Sequence, residues 1–302
     1  MAPCSVRKFS PLRRSVLAHA KRAGLAGLPT ALIALVVAAG PLHAEPASRG
    51  DGRIAFTFGE SGDLHPSQLA LMDAEGKHRR ALPPWPAIGV SWSPDGRFIA
   101  YGSLGNYGIS TLSVDGRPRG RRVVRNGVRP DWSPDGRSIA FDRNHDIWVV
   151  NLGSHRQRRL VRNGSSARWS PDGRTLTFER GIDVWVFELA RKKERLLVRN
   201  GNDADWSPDG RQIAFDRCRT QGLESTCFIY LVQSDGTRPR RVFEGNEPVW
   251  SPNGQELAFI GAAGGRYDAI MRARLDGSGR RVLFGRRPYC GCGSLDWTRA
   301  RR

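Results

Sequence analysis

Short apolar segments alternate with polar turns along most of the chain, and five of the turns belong to one recurring ten-residue phrase. The phrase reads WSPDGRFIAY from Trp92, WSPDGRSIAF from Trp132, WSPDGRTLTF from Trp169, WSPDGRQIAF from Trp206 and WSPNGQELAF from Trp250. Successive phrase tryptophans lie 40, 37, 37 and 44 residues apart. A period of this length is typical of the four-stranded blades of a β-propeller, so the pattern predicts an all-β fold.

Each repeat unit also indicates where its own strands lie. Ser-Pro-Asp-Gly is turn chemistry, because Pro fixes φ, Asp bonds locally and Gly accepts a positive φ. The apolar residues that follow are consecutive, as in 139–141, which is typical of a strand covered on both faces. A further strand at 146–151 and another at 157–161 complete the unit. We therefore expect an inner Trp strand followed by three strands that move outwards.

The two ends of the repeat region complement each other. Residues 52–56 carry the second half of the phrase without its Trp, and residues 295–297 carry the Trp without the second half. Six Trp strands and six Ile-Ala-Phe-type strands result. We predict a closed six-bladed propeller over 53–302, in which the Trp297 strand completes the N-terminal blade. Closure removes the exposed sheet edges of an open array.

The first 44 residues have the composition of an export signal. They contain six Lys or Arg and no acidic residue, and an apolar run covers 31–39. This run is shorter than the about 20 residues of a membrane-spanning helix. We predict a signal peptide at 1–44 cleaved after Ala44, a linker at 45–52, and a periplasmic or extracellular protein without a transmembrane span. An uncleaved amphipathic anchor or a misassigned start are the alternatives, and the Arg13-Arg14 pair leaves the general and twin-arginine routes open.

The charge balance is strongly basic. The chain has 48 Lys+Arg against 29 Asp+Glu, a net charge of +19, of which +13 belongs to residues 45–302. Such an excess fits either a polyanionic partner or a dispersed, solvated surface. The arginines occur in every repeat rather than in one block, which favours the second interpretation. A nucleic-acid partner is not expected for an exported protein.

The WSPDG phrases resemble the TolB-type propeller repeat, a relative of WD-type repeats, over about Arg53 to Trp297. The resemblance implies a propeller whose mouth binds protein, since TolB proteins bind an outer-membrane lipoprotein there. TolB proteins also carry an N-terminal α/β domain, whereas here we expect only the linker before the first strand. The same repeat forms the gating propeller of dipeptidyl peptidase-like serine hydrolases, whose catalytic domain would follow the propeller.

The sequence shows no familiar catalytic motif. It contains no G-x-S-x-G, no H-E-x-x-H and no G-x-x-x-x-G-K. The histidines after residue 44 have no partner at a metal-ligand spacing; they are His65, His78, His145 and His155. The stretch 142–146 begins like a calcium loop but lacks its Gly and its closing Glu. We expect no metal, no cofactor and no enzymatic activity.

Cysteine usage agrees with export. Cys218 and Cys227 bracket an insertion at a hairpin, and in an oxidising compartment they are expected to form a disulfide. Cys290 and Cys292 leave three possibilities open: a tight disulfide ring, two free thiols, or a redox or metal site.

Candidate binding residues follow from their positions in the repeat. Loops that enter the inner strands rim one mouth of the channel and supply Arg129, Asp131, Arg168, Asp203, Asp205 and Glu247. Loops between the second and third strands supply three acid-Arg pairs at the same mouth: Asp142-Arg143, Glu179-Arg180 and Asp216-Arg217. The pairs either form a mixed-charge binding ring or link neighbouring blades by salt bridges, each of which stabilises little if exposed. The entry residues are the better binding candidates because they face the channel.

Three functions are compatible with these features. The first is a monomeric exported protein that binds a protein or cell-envelope component at the propeller mouth. The second is a channel enzyme of the hydrolase or lactonase kind, which needs converging metal ligands or paired carboxylates. The third is an accessory subunit of a separately encoded peptidase or export complex. We favour the first because no catalytic constellation is evident, although a fold shared by many functions does not choose among them.

Overall fold

The computed structural model describes residues 52–58, 68–82, 87–103, 108–114, 120–221, 224–262, 268–285 and 294–298. The predicted signal peptide with Ala44, most of the predicted linker, and Cys290 and Cys292 lie outside these ranges. The cleavage site and the state of those two cysteines therefore stay predictions.

The described residues form twenty-four β-strands. In chain order they are β1 Arg53–Phe58, β2 Gln68–Asp73, β3 Arg80–Leu82, β4 Ala87–Trp92, β5 Phe98–Ser103, β6 Gly108–Ser113, β7 Gly120–Arg125, β8 Val128–Trp132, β9 Ser138–Arg143, β10 Asp146–Asn151, β11 Gln157–Val161, β12 Ser165–Trp169, β13 Thr175–Arg180, β14 Asp183–Glu188, β15 Lys193–Val198, β16 Asn202–Trp206, β17 Gln212–Gln221, β18 Glu224–Gln233, β19 Arg240–Glu244, β20 Asn246–Trp250, β21 Glu256–Ala262, β22 Asp268–Arg274, β23 Arg281–Phe284 and β24 Leu295–Trp297.

The strands assemble into six four-stranded antiparallel sheets, which confirms the predicted six-bladed propeller. Blade 1 has the order β24-β1-β2-β3, and blades 2 to 6 each use four consecutive strands beginning with β4, β8, β12, β16 and β20. The phrase Trp ends the first strand of every blade. Within these ranges, no helix has the length and apolar character needed to cross a membrane.

The ring closes through the C-terminal strand, as predicted. β24 pairs with β1 so that Trp297 lies opposite Ile54, and Leu295 lies opposite Phe56. The Arg53 N–H donates to Thr298 Oγ1 at 2.7 Å. Trp297 is 1% exposed. Blade 1 is therefore built from both ends of the repeat region and links blade 6 to blade 2.

The hydrophobic core consists of layers between adjacent blades. One such layer joins Ile147 and Val149 of blade 3 with Trp169, Leu176 and other residues of blade 4. The consecutive apolar residues of the second strands are fully buried because each faces a neighbouring blade on both sides.

The polar half of the phrase closes the turn between the first and second strands. In blade 3, Ser133 Oγ donates to Asp135 Oδ1 at 2.6 Å and accepts the Ser138 N–H at 2.9 Å. Gly136 has φ 73°, which an L side chain rarely adopts. Equivalent bonds recur in four other blades. These turns lie at the opposite end of the first strands from the loops that enter each blade.

The predicted disulfide is present. Cys218 and Cys227 lie directly opposite each other in the β17–β18 hairpin and are bonded. Both strands of this hairpin are 10 residues long. The disulfide therefore ties together the part of the hairpin that extends beyond Asp216.

Deleting residues 293–302 should destroy the closed ring, because it removes β24 and exposes the inner edge of β1. We expect the shortened protein to unfold or to associate, as measured by thermal unfolding and size-exclusion chromatography. Trp297→Ala alone should lower the free energy of unfolding by about 3–5 kcal/mol, the usual cost of truncating a buried aromatic residue.

Ile182→Ala is the matched control, because Ile182 is 64% exposed and its truncation removes little buried surface. A monomeric deletion variant with an unchanged melting temperature would show that β24 does not close the propeller.

Candidate functional site at the channel mouth

The first strands of blades 2 to 6 share a backbone irregularity three positions before the phrase Trp. The residue there has a positive φ in each: Gly89 68°, Arg129 48°, Ser166 54°, Asp203 48° and Glu247 49°. The register with the second strand shifts at the same place in every case. Bulges of this kind re-aim a side chain and are common beside functional sites. Thus the sequence-predicted entry residues Arg129, Asp203 and Glu247 lie within strands rather than in the loops before them.

These residues and three second-strand carboxylates form a charged group that we call the mouth ring. Its members come from blades 3 to 6 and are Arg129, Asp142, Glu179, Asp203, Asp216 and Glu247. Arg129 Nη1 lies 3.6 Å from Asp142 Oδ2. Arg129 also interacts electrostatically with Asp203 and Glu247 of more distant blades. Side chains from four blades meet in this way where the first strands surround the channel.

The three second-strand carboxylates of the mouth ring each hold the next blade. Asp142 accepts the Ser166 N–H at 3.0 Å. Glu179 accepts the Asp203 N–H at 2.8 Å. Asp216 Oδ1 accepts the Glu247 N–H at 3.3 Å. Each carboxylate therefore fixes a bulged residue of the following blade by its backbone.

Burial raises the pKa values of the mouth-ring carboxyls, and repulsion between carboxylates adds to the effect for three of them. Burial, followed by the charge of Asp203, raises the pKa of Glu179 to about 7 and that of Asp216 to about 8. Burial raises the pKa of Asp142 to about 6, although its bonds to Ser166 and Arg129 act in the opposite direction. The pKa values of Asp203 and Glu247 are also raised, mainly by burial. At neutral pH the ring therefore carries less negative charge than its five carboxyl groups would have at their ordinary pKa values.

Immediately before five of the six phrase Trp residues lies a polar side chain, and these side chains form a second tier between the blades; before Trp250 the residue is apolar. Asp131 accepts the Trp169 N–H at 2.7 Å, and Asp205 accepts the Trp250 N–H at 2.8 Å. Asp296 accepts the Trp92 N–H at 2.6 Å. Sequence reasoning did not select Asp296, although its place in 295–297 matches that of Asp131 and Asp205. Comparing the incomplete sixth phrase with the others position by position would have found it.

Arg168 is the cation of this second tier. Its Nη1 lies 3.3 Å from Asp131 Oδ1. Burial alone would lower the pKa of Arg168, but the carboxylates of Asp131, Asp296 and Asp205 raise it above its ordinary value. Burial raises the pKa of Asp296 to about 7. Arg168, Asp131 and Asp205 are thus brought together with Asp296, and their side chains are engaged with neighbouring blades.

The arginines of the three acid-Arg pairs lie apart from the acids that precede them. Adjacent residues in a strand point to opposite faces, so each Arg faces away from the mouth ring. Arg143 donates to the carbonyls of Arg125 and Asn126, in the segment that enters its blade. Arg180 donates in the same way to the carbonyls of Arg162 and Asn163, in the segment that enters its own blade.

Arg217 shares part of this arrangement. Its guanidinium stacks on Phe215 and Tyr230, as those of Arg143 and Arg180 stack on their own aromatic pairs. Asp216 lies near the sulfur atoms of Cys218 and Cys227, but these are bonded to each other and offer no thiolate to a metal.

The raised pKa values predict that the protein becomes less stable as pH rises from about 4 to 8. In this window the unfolded chain has lost protons that the folded mouth ring retains, so the free energy of unfolding falls with pH. Melting temperatures at pH 6 and pH 8.5 measure the effect. Asp216→Asn should reduce the difference, because the amide oxygen still accepts the Glu247 N–H and no charge develops.

Asp209→Asn is the matched control. Asp209 lies in an exposed turn at the other end of the propeller; partial burial acts to raise its pKa, but the bonds from Ser207 and Arg211 together lower it below its ordinary value. This substitution is expected to change stability equally at the two pH values. An Asp216→Asn protein with the full wild-type pH dependence would contradict the assignment.

Comparisons with known proteins agree with this architecture. No family model and no curated protein matches the sequence. TolB from Acinetobacter baumannii superposes with a TM-score of 0.66 at 21% identity, over 82% of this chain and 66% of that chain. A putative TolB from Agrobacterium tumefaciens gives 0.63 at 20% identity, over 80% and 91%.

Propellers from other contexts share the fold. A chain of a nidogen/laminin complex gives a TM-score of 0.60 at 10% identity, over 82% of this chain and 100% of that chain. An oligogalacturonate lyase from Vibrio parahaemolyticus gives 0.50 at 13% identity, over 79% and 75%. The fold predicted from the WSPDG phrases is confirmed, and the chain is folded as a TolB-type β-propeller.

Proposed function

We propose that the chain is an exported, non-catalytic binding protein that receives a protein segment or cell-envelope component at the mouth ring. The observation that carries the proposal is the convergence of charged side chains from four blades at one end of the channel. The similarity to TolB structures supports it, and so does the Cys218–Cys227 disulfide, since disulfides persist in oxidising compartments outside the cytosol.

The mouth ring divides into residues that hold the blades and residues that are open to a ligand. Asp142, Glu179 and Asp216 accept backbone N–H groups and so position the bulges. The Arg129 side chain is 56% exposed, and Asp203 is also exposed to the channel. Arg129, Asp203 and the neighbouring Glu247 therefore form the binding face.

This face offers a cation on blade 3 and carboxyl groups on blades 5 and 6. A protein segment complements it by presenting a hydrogen-bond acceptor to Arg129 and a basic or hydrogen-bonding group to the carboxyls. Hydrogen bonds in which one partner is ionised are shorter and stronger than those between neutral groups. Specificity then depends on the order of charges around the ring.

A channel enzyme is the second candidate, because Glu179 and Asp216 have pKa values of about 7 and 8 inside an enclosed site. General acid–base catalysis requires groups of this kind near the working pH. The observed hydrogen bonds of both carboxylates to backbone N–H groups favour a positioning role instead.

The binding proposal predicts that Arg129→Gln/Asp203→Asn/Glu247→Gln loses a partner that wild type retains. The immobilised protein is incubated with a detergent extract of the envelope of the cells that make it, and retained proteins are identified by mass spectrometry. The partner is then purified and its Kd measured. We expect the triple variant to weaken binding by at least about tenfold, the effect of losing roughly 1.4 kcal/mol.

Arg137→Gln/Arg174→Gln/Arg211→Gln is the control, because it changes three exposed arginines at the other end of the first strands. Equal binding by both triple variants, or no partner for wild type, would overturn the assignment to the mouth. Turnover of a sugar or lactone substrate that is lost in Glu179→Gln would favour the channel enzyme.

A further inference from the structure

All six blades carry an Arg at the same place in their outermost strand. The position is defined by its pairing with the third residue from the end of the adjacent strand, as for Arg158 opposite Val149 and Arg195 opposite Val186. The six residues are Arg80, Arg121, Arg158, Arg195, Arg240 and Arg281.

At two boundaries between blades this Arg bridges to the following blade. Arg80 Nη2 donates to the Val114 carbonyl at 2.8 Å, which joins blades 1 and 2. Arg195 Nη2 donates to the Ser234 carbonyl at 2.6 Å, which joins blades 4 and 5. Val114 and Ser234 occupy equivalent places just after the third strand of their blades. The guanidinium thus spans the outer gap between the two blades.

The equivalent Arg of the other four blades makes no such bond among the described residues, and the boundary between blades 3 and 4 is one of these. Among the described residues, Arg158 makes no such bond to Leu189, which takes the place of Ser234 in blade 4. A groove of about 600 Å³ lies here instead. Its volume is within the range of roughly 300–1,000 Å³ found for ligand sites. The groove is lined by Arg158, Arg159, Leu160, Phe187, Leu189, Lys192, Lys193 and Glu194.

The rim of this groove carries unbalanced positive charge. Arg159 is paired with Asp146 at 3.0 Å, and Glu194 is paired with Arg180 at 2.7 Å. Arg158, Lys192 and Lys193 are exposed and have no salt-bridge partner in the described part of the chain. Three cations therefore face solvent around the groove, and the one carboxylate in its lining is already engaged.

The floor of the groove is apolar. Phe187 is 5% exposed, and Leu160 and Leu189 are half-buried beside it. β11 is the outermost strand of its sheet, so its outer edge is free of strand partners in that sheet. A ligand that complements this groove has negative charge to pair with the cations of the rim and an apolar group that contacts the floor.

We propose that the groove between blades 3 and 4 binds an extended acidic peptide segment, with an apolar side chain on the floor and carboxylates at Arg158, Lys192 and Lys193. An extended segment suits the edge of β11, because peptides commonly add to exposed strand edges. A flat membrane surface fits less well, because the apolar side chains are recessed between the blades instead of projecting from them. This surface is separate from the mouth ring.

The test measures the anisotropy of a labelled ten-residue peptide of alternating glutamate and leucine, titrated with the purified protein. Arg158→Glu/Lys193→Glu should weaken binding by at least about tenfold, because it replaces attraction by repulsion at both sides of the groove. Arg121→Glu/Arg122→Glu makes the same charge change on the outer strand of blade 2 and should stay within about twofold of wild type. Unchanged melting temperatures establish that both variants are folded.

Three results would overturn the proposal. Equal losses in the two variants would indicate general attraction to a basic surface. Equally tight binding of a ten-residue polyglutamate would show that the apolar floor takes no part. Vesicles of anionic phospholipid that bind through Arg158 and Lys193 more tightly than the peptide would make a membrane the occupant. The mouth variant Arg129→Gln/Asp203→Asn/Glu247→Gln should bind the peptide as wild type does, which separates the two surfaces.

Discussion

The propeller depends on one repeated bond, in which the N–H of a phrase Trp donates to the side chain just before the Trp of the preceding blade. Asp131, Asp205 and Asp296 accept it through a carboxylate, and Ser91 accepts it through its hydroxyl from Trp132 at 2.9 Å. The bond sets the position of a first strand, along the channel axis, relative to the first strand of the preceding blade. Because buried carboxylates are costly without partners, Arg168 and these N–H groups together make the arrangement possible.

Most of the fold was predictable because the interactions made by the repeated phrase are local to each repeat. Its turn residues bond to one another within each repeat, and its apolar residues are buried by whichever blade is adjacent. The turn and the buried strand can therefore both be predicted without knowing how distant parts of the chain fold. Closure was also predictable, because residues 52–56 carry the second half of the phrase without the Trp and residues 295–297 carry the Trp without the second half. The disulfide followed from two cysteines that flank one hairpin.

The candidate site was less predictable, because it depends on where the backbone turns. Asp142 and Arg143 are adjacent in sequence, yet strand alternation sends one to the mouth ring and the other to a loop of the preceding blade. The bulge that orients Arg129, Asp203 and Glu247 leaves no consistent residue type in the sequence, since Gly, Arg, Ser, Asp and Glu all occupy it. The outer groove was equally hidden, because Arg158 is the same residue type that bridges blades elsewhere.

The bulged position has a consequence for how such a mouth changes over evolutionary time. At Ser166 and Glu247 the backbone is held both by the Trp bond and by a carboxylate of the previous blade, and neither support uses the bulged residue's own side chain. At these two positions the side chain can change without loss of either support, whereas a Cβ at Gly89 would lie 2.7 Å from the Arg129 backbone. Substitutions at such positions change the charge pattern of the channel mouth while the blades keep their arrangement.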